Sequence, residues 1–374
     1  MNFRTKDDLE AAKSLISPPG ETLADTLEAK NISQTELASR MGRPLKTING
    51  IVQGKTAILP ETALQLERVL GISAGFWMER EKDYRLELAE VEEAELFFEK
   101  KEWLKNFPIK QMKELGWIDY AVDSPTEKFK AILNYFAVSG KEAFYGQYEI
   151  EPQVAYRMAN TGQKSPYAVM AWLRRGELQG QELKAEAYNA AKFKEALEKV
   201  RELMVQQPED FFPQLQALCL EAGVKVVHTP CLPKTKLQGS TRWINQTPLI
   251  QLSNQYQRND IFWFTFFHEA GHILKHGKKD VFVEGLEYTA EGAEKEQEAD
   301  RFATKYTLPE KEFGRIKTGI KDVDNPIQFI RSIAEEINTH PALVLGRLAR
   351  EKIIHDSLGW SSDIYKKIKF EKAV

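Results

Sequence analysis

Cysteine is scarce in this chain of 374 residues: Cys219 and Cys231 are the only two, so a disulfide framework is excluded and a reducing compartment is expected. Long hydrophobic runs are missing as well. The most apolar stretch, Ile261 to Phe267, is seven residues with Thr265 inside it, whereas a membrane span needs about 18. The N-terminus (MNFRTKDDLEAAK) has charges where a signal peptide needs an apolar core, so the expectation is a soluble, cytoplasmic protein with no membrane partner. No excess of positive charge advertises nucleic acid, because the net charge is −3; a surface for it must be local. Fixed-period repeats and low-complexity tracts are also lacking. What is present is ordinary globular material, 42% hydrophobic and 29% charged, enough for two or three domains at roughly 100–200 residues each.

The patterning predicts a mainly α-helical protein with one small α+β domain. Three segments are expected: a small helical bundle over 1–80, a helical linker or sensor region over 81–220, and the small α+β domain over 221–374. Between Glu81 and Glu102 nine acids face four bases, with Leu86, Leu88, Val91, Leu96 and Phe97 interleaved, which reads as a solvated helix lying on a core. A second amphipathic helix is expected from about Gln181 to Gln206. In the middle region Tyr135-Phe136, Trp172 and Arg174-Arg175 could line a pocket, although core is the commoner fate of aromatics at helical spacing. Beyond Gly223 the texture changes: VKVVH (224–228), TRWIN (241–245) and PLIQLS (248–253) are short and β-branched or alternating, and they predict a short antiparallel sheet.

Near the N-terminus, Ser33 can cap a helix and Glu36 can complete a capping box. Gly42 ends that helix, and a second begins near Pro44, with Leu45, Ile48, Ile51 and Val52 for packing. Two short helices joined by a glycine turn make helix-turn-helix geometry, in which the second helix enters the major groove. Arg40 to Lys55 holds four bases and no acid. Arg43, Lys46, Thr47 and Asn49 cluster at the leading end of the second helix, where base edges are read, and Lys55 is placed for phosphate. The passage from Ser33 resembles the HigA-type antitoxins of the Xre-like helix-turn-helix class: the SQTELA helix, Asn49-Gly50 to Gly54-Lys55, the Pro60 to Leu64 helix (PETAL) and Phe76-Trp77. That resemblance implies a homodimer on a palindromic operator DNA. Pro44-Leu45-Lys46 departs from the usual polar start of the recognition helix.

The strongest signal lies at His268-Glu269-Ala270-Gly271-His272. On a helix the two histidines are one turn apart on one face, able to share an ion, with Glu269 beside them as a catalytic carboxylate. Isolated polar groups in so apolar a helix (IFWFTFF precedes them) would cost several kcal/mol without partners. Downstream, 24 residues after His272, comes EQEAD. Glu296 and Asp300 share a helical face, whereas Glu298 points about 200° away. The assignment is Zn2+ on His268, His272 and Glu296, with Asp300 orienting a ligand histidine and Glu298 as the alternative ligand. A third ligand histidine is excluded because the longer pattern would need one at Lys278. His276 before Gly277 reads as a helix-end cap.

Residues 223–348 resemble the ImmA/IrrE family of metallopeptidases, through the valine strand, PLIQLS, the HEAGH helix, EQEADRFATKYTLP and PALVLGRL. The resemblance implies zinc-dependent cleavage of a repressor or antitoxin-like protein, with substrate held as an added strand; Pro248 to Ser253 is the candidate edge. For the oxyanion, His228, Arg242, Tyr256, Tyr288 and His340 are all of suitable type. The expected function is therefore a transcriptional regulator combining operator binding with zinc-dependent endopeptidase activity. The alternative is a regulator whose metallopeptidase-like domain is a sensor or toxin-binding module with little or no turnover.

Overall fold

The computed structural model describes residues 3–148, 165–235, 237–255, 257–276, 282–283 and 290–368. The chain divides into two compact units, Met1–Phe144 and Tyr145–Val374. Residues 81–220, expected as a region of their own, are shared between them.

The first unit is all helical: α1 (Lys6–Leu15), α2 (Pro19–Ala29), α3 (Gln34–Met41), α4 (Leu45–Val52), α5 (Pro60–Leu70), α6 (Ala74–Glu99), the short α7 (Lys101–Leu104) and α8 (Ile109–Glu114), and α9 (Pro125–Phe136), with α10 (Lys141–Gln147) crossing the boundary. The Ser33 hydroxyl accepts the Glu36 N–H at 3.1 Å, but the box stays half-made because the Glu36 carboxylate pairs with Arg40 instead. Gly42, at φ 63°, closes α3 through Ala38 and Ser39 carbonyls. Pro44 sits one position earlier than expected, as the extended residue before α4. α2 crosses α4 so closely that a Cβ on Gly20 would lie 2.1 Å from the Ile51 carbonyl oxygen. Leu23, Leu37, Ile48, Leu66 and Trp77 close the core beneath. Leu45, expected in that core, is 40% exposed.

α6 runs unbroken through residue 80, giving Trp77 to this core and Val91, Ala94 and Phe98 to a second one with Phe3 and Leu9. Glu81, on the expected wet face, is buried and receives the Ile58 N–H and the Arg85 guanidinium. Leu86 and Leu96 are exposed, because α6 turns a different stripe to each neighbour and no single apolar face serves its whole length. Tyr135 and Phe136 are core residues.

The second unit opens with α11 (Pro166–Glu182), α12 (Ala190–Gln206) and α13 (Phe211–Glu221). The expected long helix from Gln181 starts instead at Ala190, because the Asn189 side chain caps it by accepting the Ala191 and Lys192 N–H groups. Strands β1 (Lys225–His228), β2 (Gly239–Ile244) and β3 (Thr247–Leu252) follow, then α14 (Asn259–Lys275), β4 (Phe282–Val283), α15 (Ala290–Thr307), α16 (Glu310–Gly319), α17 (Pro326–Glu336), α18 (Pro341–Arg350) and α19 (Ser357–Ser361). The sheet order is β1-β3-β2-β4. β2 and β3 form an antiparallel hairpin about Asn245, which has φ 57°, but β1 pairs with β3 in parallel, so the sheet is mixed. This corrects two expectations. The sheet is not purely antiparallel, and Pro248 to Ser253 is not an edge, since hydrogen bonding on both sides makes β3 interior and buries Pro248 to Leu252.

α11 is pinned to the sheet by polar contacts. Trp172 donates its indole N–H to the Thr229 carbonyl at 3.0 Å, Gln251 reaches the Trp172 carbonyl at 2.6 Å, and Arg242 donates to Leu173 O and Gln251 Oε1. Trp172 and Arg242 are thus structural, and Arg174 pairs with Glu177. On the other side α14 lays Trp263, Phe266, Phe267 and Ala270 into the main core. Among the described residues no helix is long and apolar enough to cross a membrane.

One buried group ties this fold to pH. His340 caps α18, its Nδ1 accepting the Ala342 N–H at 3.1 Å, and burial, helped by Lys366 and Arg331, lowers its pKa to about 4. The unfolded chain takes up that proton near pH 6.5, so the stability contribution is complete above about 6.5 and is lost as pH falls toward 4. His340→Asn keeps a capping acceptor and should spare the protein about 2 kcal/mol of the loss suffered between pH 7 and pH 5. Urea unfolding at both values checks this; equal acid sensitivity in the two proteins would refute it.

Candidate functional site

α14 is buried nearly all round, and its spacing brings His268 and His272 to one point. Their Nε2 atoms lie 3.0 Å apart. Glu296, delivered by α15, places Oε2 3.2 Å from the first and Oε1 3.6 Å from the second. Donors around a tetrahedral zinc, at bond lengths of about 2.0–2.1 Å, stand roughly 3.3 Å from one another, so these three side chains fit a divalent ion. Both histidines are almost fully buried.

The far sides of the rings are held too. His268 Nδ1 is 2.9 Å from Asp300 Oδ1. His272 Nδ1 is 3.0 Å from His276 Nδ1, and His276 Nε2 is 3.1 Å from Glu298 Oε2. Burial by itself would lower the His268 pKa, but the Asp300, Glu296 and Glu269 carboxylates outweigh it and push it up to about 10. His272 goes the other way, to about 2, through burial and the two neighbouring imidazoles.

Glu269 is 1% exposed. Thr241 Oγ1 on β2 lies 2.6 Å from its Oε2 and 3.0 Å from its main-chain carbonyl, fixing the carboxylate against the sheet. A Cβ on Gly239 would stand 2.5 Å from Glu269 Oε1 and 2.8 Å from Thr265 Cγ2, so a larger residue there would displace the Glu269 carboxylate. A cleft of about 470 Å³ opens beside His268 and Glu296, walled by Gln238, Phe264, Thr265 and Arg350. Arg258, also in its wall, is held by Asp260 and Asp356.

Sequence reasoning placed His268, Glu269, His272, Glu296 and Asp300, and the fold brings all five together. Thr241, Gly239 and the pairing of His276 with Glu298 escaped it, since they depend on sheet register and on where the chain leaves α14. The candidate oxyanion donors fare differently. Arg242 is buried against α11, His340 caps α18, and His228 ends β1; none of them lines the cleft. Tyr256 and Tyr288 lie outside the described residues. Cys219 is buried, its thiol pushed up by desolvation, and Cys231 is likewise raised.

On the first unit, Lys46, Asn49 and Lys55 are exposed and Thr47 is half-buried on or just beyond α4. Arg43 is drawn toward α5, donating through Nε to Gln65 Oε1 with Glu61 4.0 Å away. The exposed Leu45 adds an apolar contact to this face; on a major groove such a group meets a thymine methyl.

Comparison with known proteins finds matches over both regions of the chain. Residues 23–77 match the family model described as helix-turn-helix, and residues 219–348 match the IrrE N-terminal-like domain. Over 72 residues the chain is 32% identical to the uncharacterized HTH-type transcriptional regulator YddM of Escherichia coli (strain K12), a match spanning 19% of this chain and 77% of that protein.

The donor geometry makes a direct prediction. The chain should take up one divalent ion, Glu296→Ala should lose most of it, and Glu298→Ala should still fill one site when metal is in excess. Elemental analysis after gel filtration decides; the reverse pattern would exchange the two glutamates.

Proposed function

The chain joins an Xre-type helix-turn-helix domain to an IrrE-like domain of a metallopeptidase family, and from that premise we propose that it is a transcriptional regulator in which operator binding is combined with zinc-dependent cleavage of a protein partner. The observation that carries the reading is the convergence of His268, His272 and Glu296 with Glu269 beside them, buried, at the head of an open cleft. A structural zinc site prefers four protein ligands, whereas three leave a position for chemistry. The partner is a repressor or antitoxin-like protein, and the regulator works in the cytoplasm as a homodimer on a palindromic operator.

Zinc, when bound by these three side chains, supplies Lewis acidity and makes hydroxide available near neutral pH. The rest falls to the chain. Asp300 holds His268 by its far nitrogen, so the ring presents Nε2 to the shared point. Thr241 occupies one carboxylate oxygen of Glu269 and stops it from turning. Glu269 then takes the proton of the attacking water as the peptide carbonyl is attacked, and returns it to the leaving amine. Gly239 leaves its other oxygen the room to do so.

DNA binding falls to α4. Lys46 and Asn49 reach base edges or phosphates, Thr47 supports them, Lys55 binds backbone, and Arg43 is preset by Gln65 for a phosphate at the groove edge. Lys46→Ala with Lys55→Ala in the full chain should weaken operator binding and flatten the slope of its salt dependence by about 0.9 for each phosphate left without its cation. Fluorescence anisotropy across a salt series checks this; an unchanged slope removes α4 from the interface.

Glu269→Gln separates an enzyme from a binding module. It should retain metal and operator affinity while turnover of the partner falls at least about 10²–10⁴-fold, the usual worth of acid–base catalysis. A variant that regulates normally in cells would make the metallopeptidase domain a sensor.

A further inference from the structure

His276 and Glu298 take no part in the reaction just described, yet they sit directly behind a metal-ligand histidine. His276 is the residue at which α14 ends, its N–H closing on the His272 carbonyl. Leaving the helix there, the chain lays the His276 ring beside that of His272, centroids 5.0 Å apart and planes at 50°. The His276 side chain is only 3% exposed, while that of Glu298 is 45% exposed.

The hydrogen positions follow from the chemistry. A His272 that offers the lone pair of Nε2 to an ion must carry its hydrogen on Nδ1. That hydrogen faces His276 Nδ1 at 3.0 Å, which must accept it. His276 is left with its hydrogen on Nε2, which faces Glu298 Oε2 at 3.1 Å, an acceptor. One tautomer of each ring satisfies both of these contacts. His268 reaches the same end in one step, through Asp300.

We infer that His276 and Glu298 are positioning residues of the metal centre: Glu298 fixes the tautomer of His276, and His276 fixes the tautomer and orientation of His272. The inference rests on the proposed metal set His268, His272 and Glu296. It gives the centre unequal supports, a direct carboxylate behind one ligand and a histidine–carboxylate pair behind the other. Glu298, the alternative ligand on sequence grounds, acts instead through two imidazoles that stand between it and the ion.

The test is metal affinity of the full-length protein, by competition of zinc with a chromophoric chelator, together with the visible absorption of the cobalt form. His276→Phe keeps the bulk and removes the acceptor; it should weaken affinity roughly 10–100-fold and alter the cobalt bands. Glu298→Leu should do the same to a smaller degree, on a side chain too exposed to matter for the core. Glu298→Gln, whose amide oxygen still accepts from His276, should bind close to the parent. Parent-like affinity and spectrum in both His276→Phe and Glu298→Leu overturn the inference, as does Glu298→Gln falling as far as Glu298→Leu. If the parent itself takes up no metal and Glu296→Ala is indistinguishable from it, the proposed metal set has failed, which is a different result from failure of its support.

Discussion

Helix α14 runs through the middle of the second unit with solvent excluded from most of its surface, and it carries Asn259, Asp260, Thr265, His268, Glu269 and His272 into that interior. Desolvating so many polar side chains costs several kcal/mol for each one left alone. Other parts of the unit are arranged to prevent that. Arg258 binds Asp260 through two hydrogen bonds, Gln238 meets Thr265, Thr241 meets Glu269, and α15 meets the histidines. The sheet, α15 and the chain after α19, where Ile364 O and Lys366 N meet Asn259, thus all contribute partners to one buried element. The apolar face of the same helix, Trp263 to Ile273, holds the core together on its other side.

Local periodicity made much of this legible. HEAGH places two imidazoles on one face whatever the surrounding fold, and the four-residue spacing of Glu296 and Asp300 does the same on a second helix, so five residues of the site could be read directly. What needs long-range register could not. Thr241 reaches Glu269 only because β2 packs at one particular height on α14, and nothing in TRWIN shows it. β1 beside β3, instead of beside β2, is a choice between pairings of similar apolar strands, and it turned an expected edge into an interior strand. His276 escaped for a third reason: helix periodicity stops being informative at the residue where the helix stops.

The first unit shows the same division. The glycine turn after α3 and the capping by Ser33 were plain from residue type. The fate of individual apolar residues was not: Leu45 is the exposed first residue of the short α4, and Leu86 and Leu96 lie on α6, whose buried stripe shifts along its length. Glu81 shows the cost of reading a charge run as uniformly wet: one acid among nine is buried to receive a backbone N–H and a guanidinium.

The three carboxylates that pair with the imidazole nitrogens, Glu296, Glu298 and Asp300, come from a single helix. A helix is one stiff part: advancing it by one residue means about 1.5 Å of travel and a rotation near 100°. Such a slip would withdraw the proposed carboxylate ligand and both supporting carboxylates together, leaving only the histidines of α14 in place. On the proposed metal set, filling of the centre would thus depend on the register of α15 against α14, and not on the α14 histidines alone.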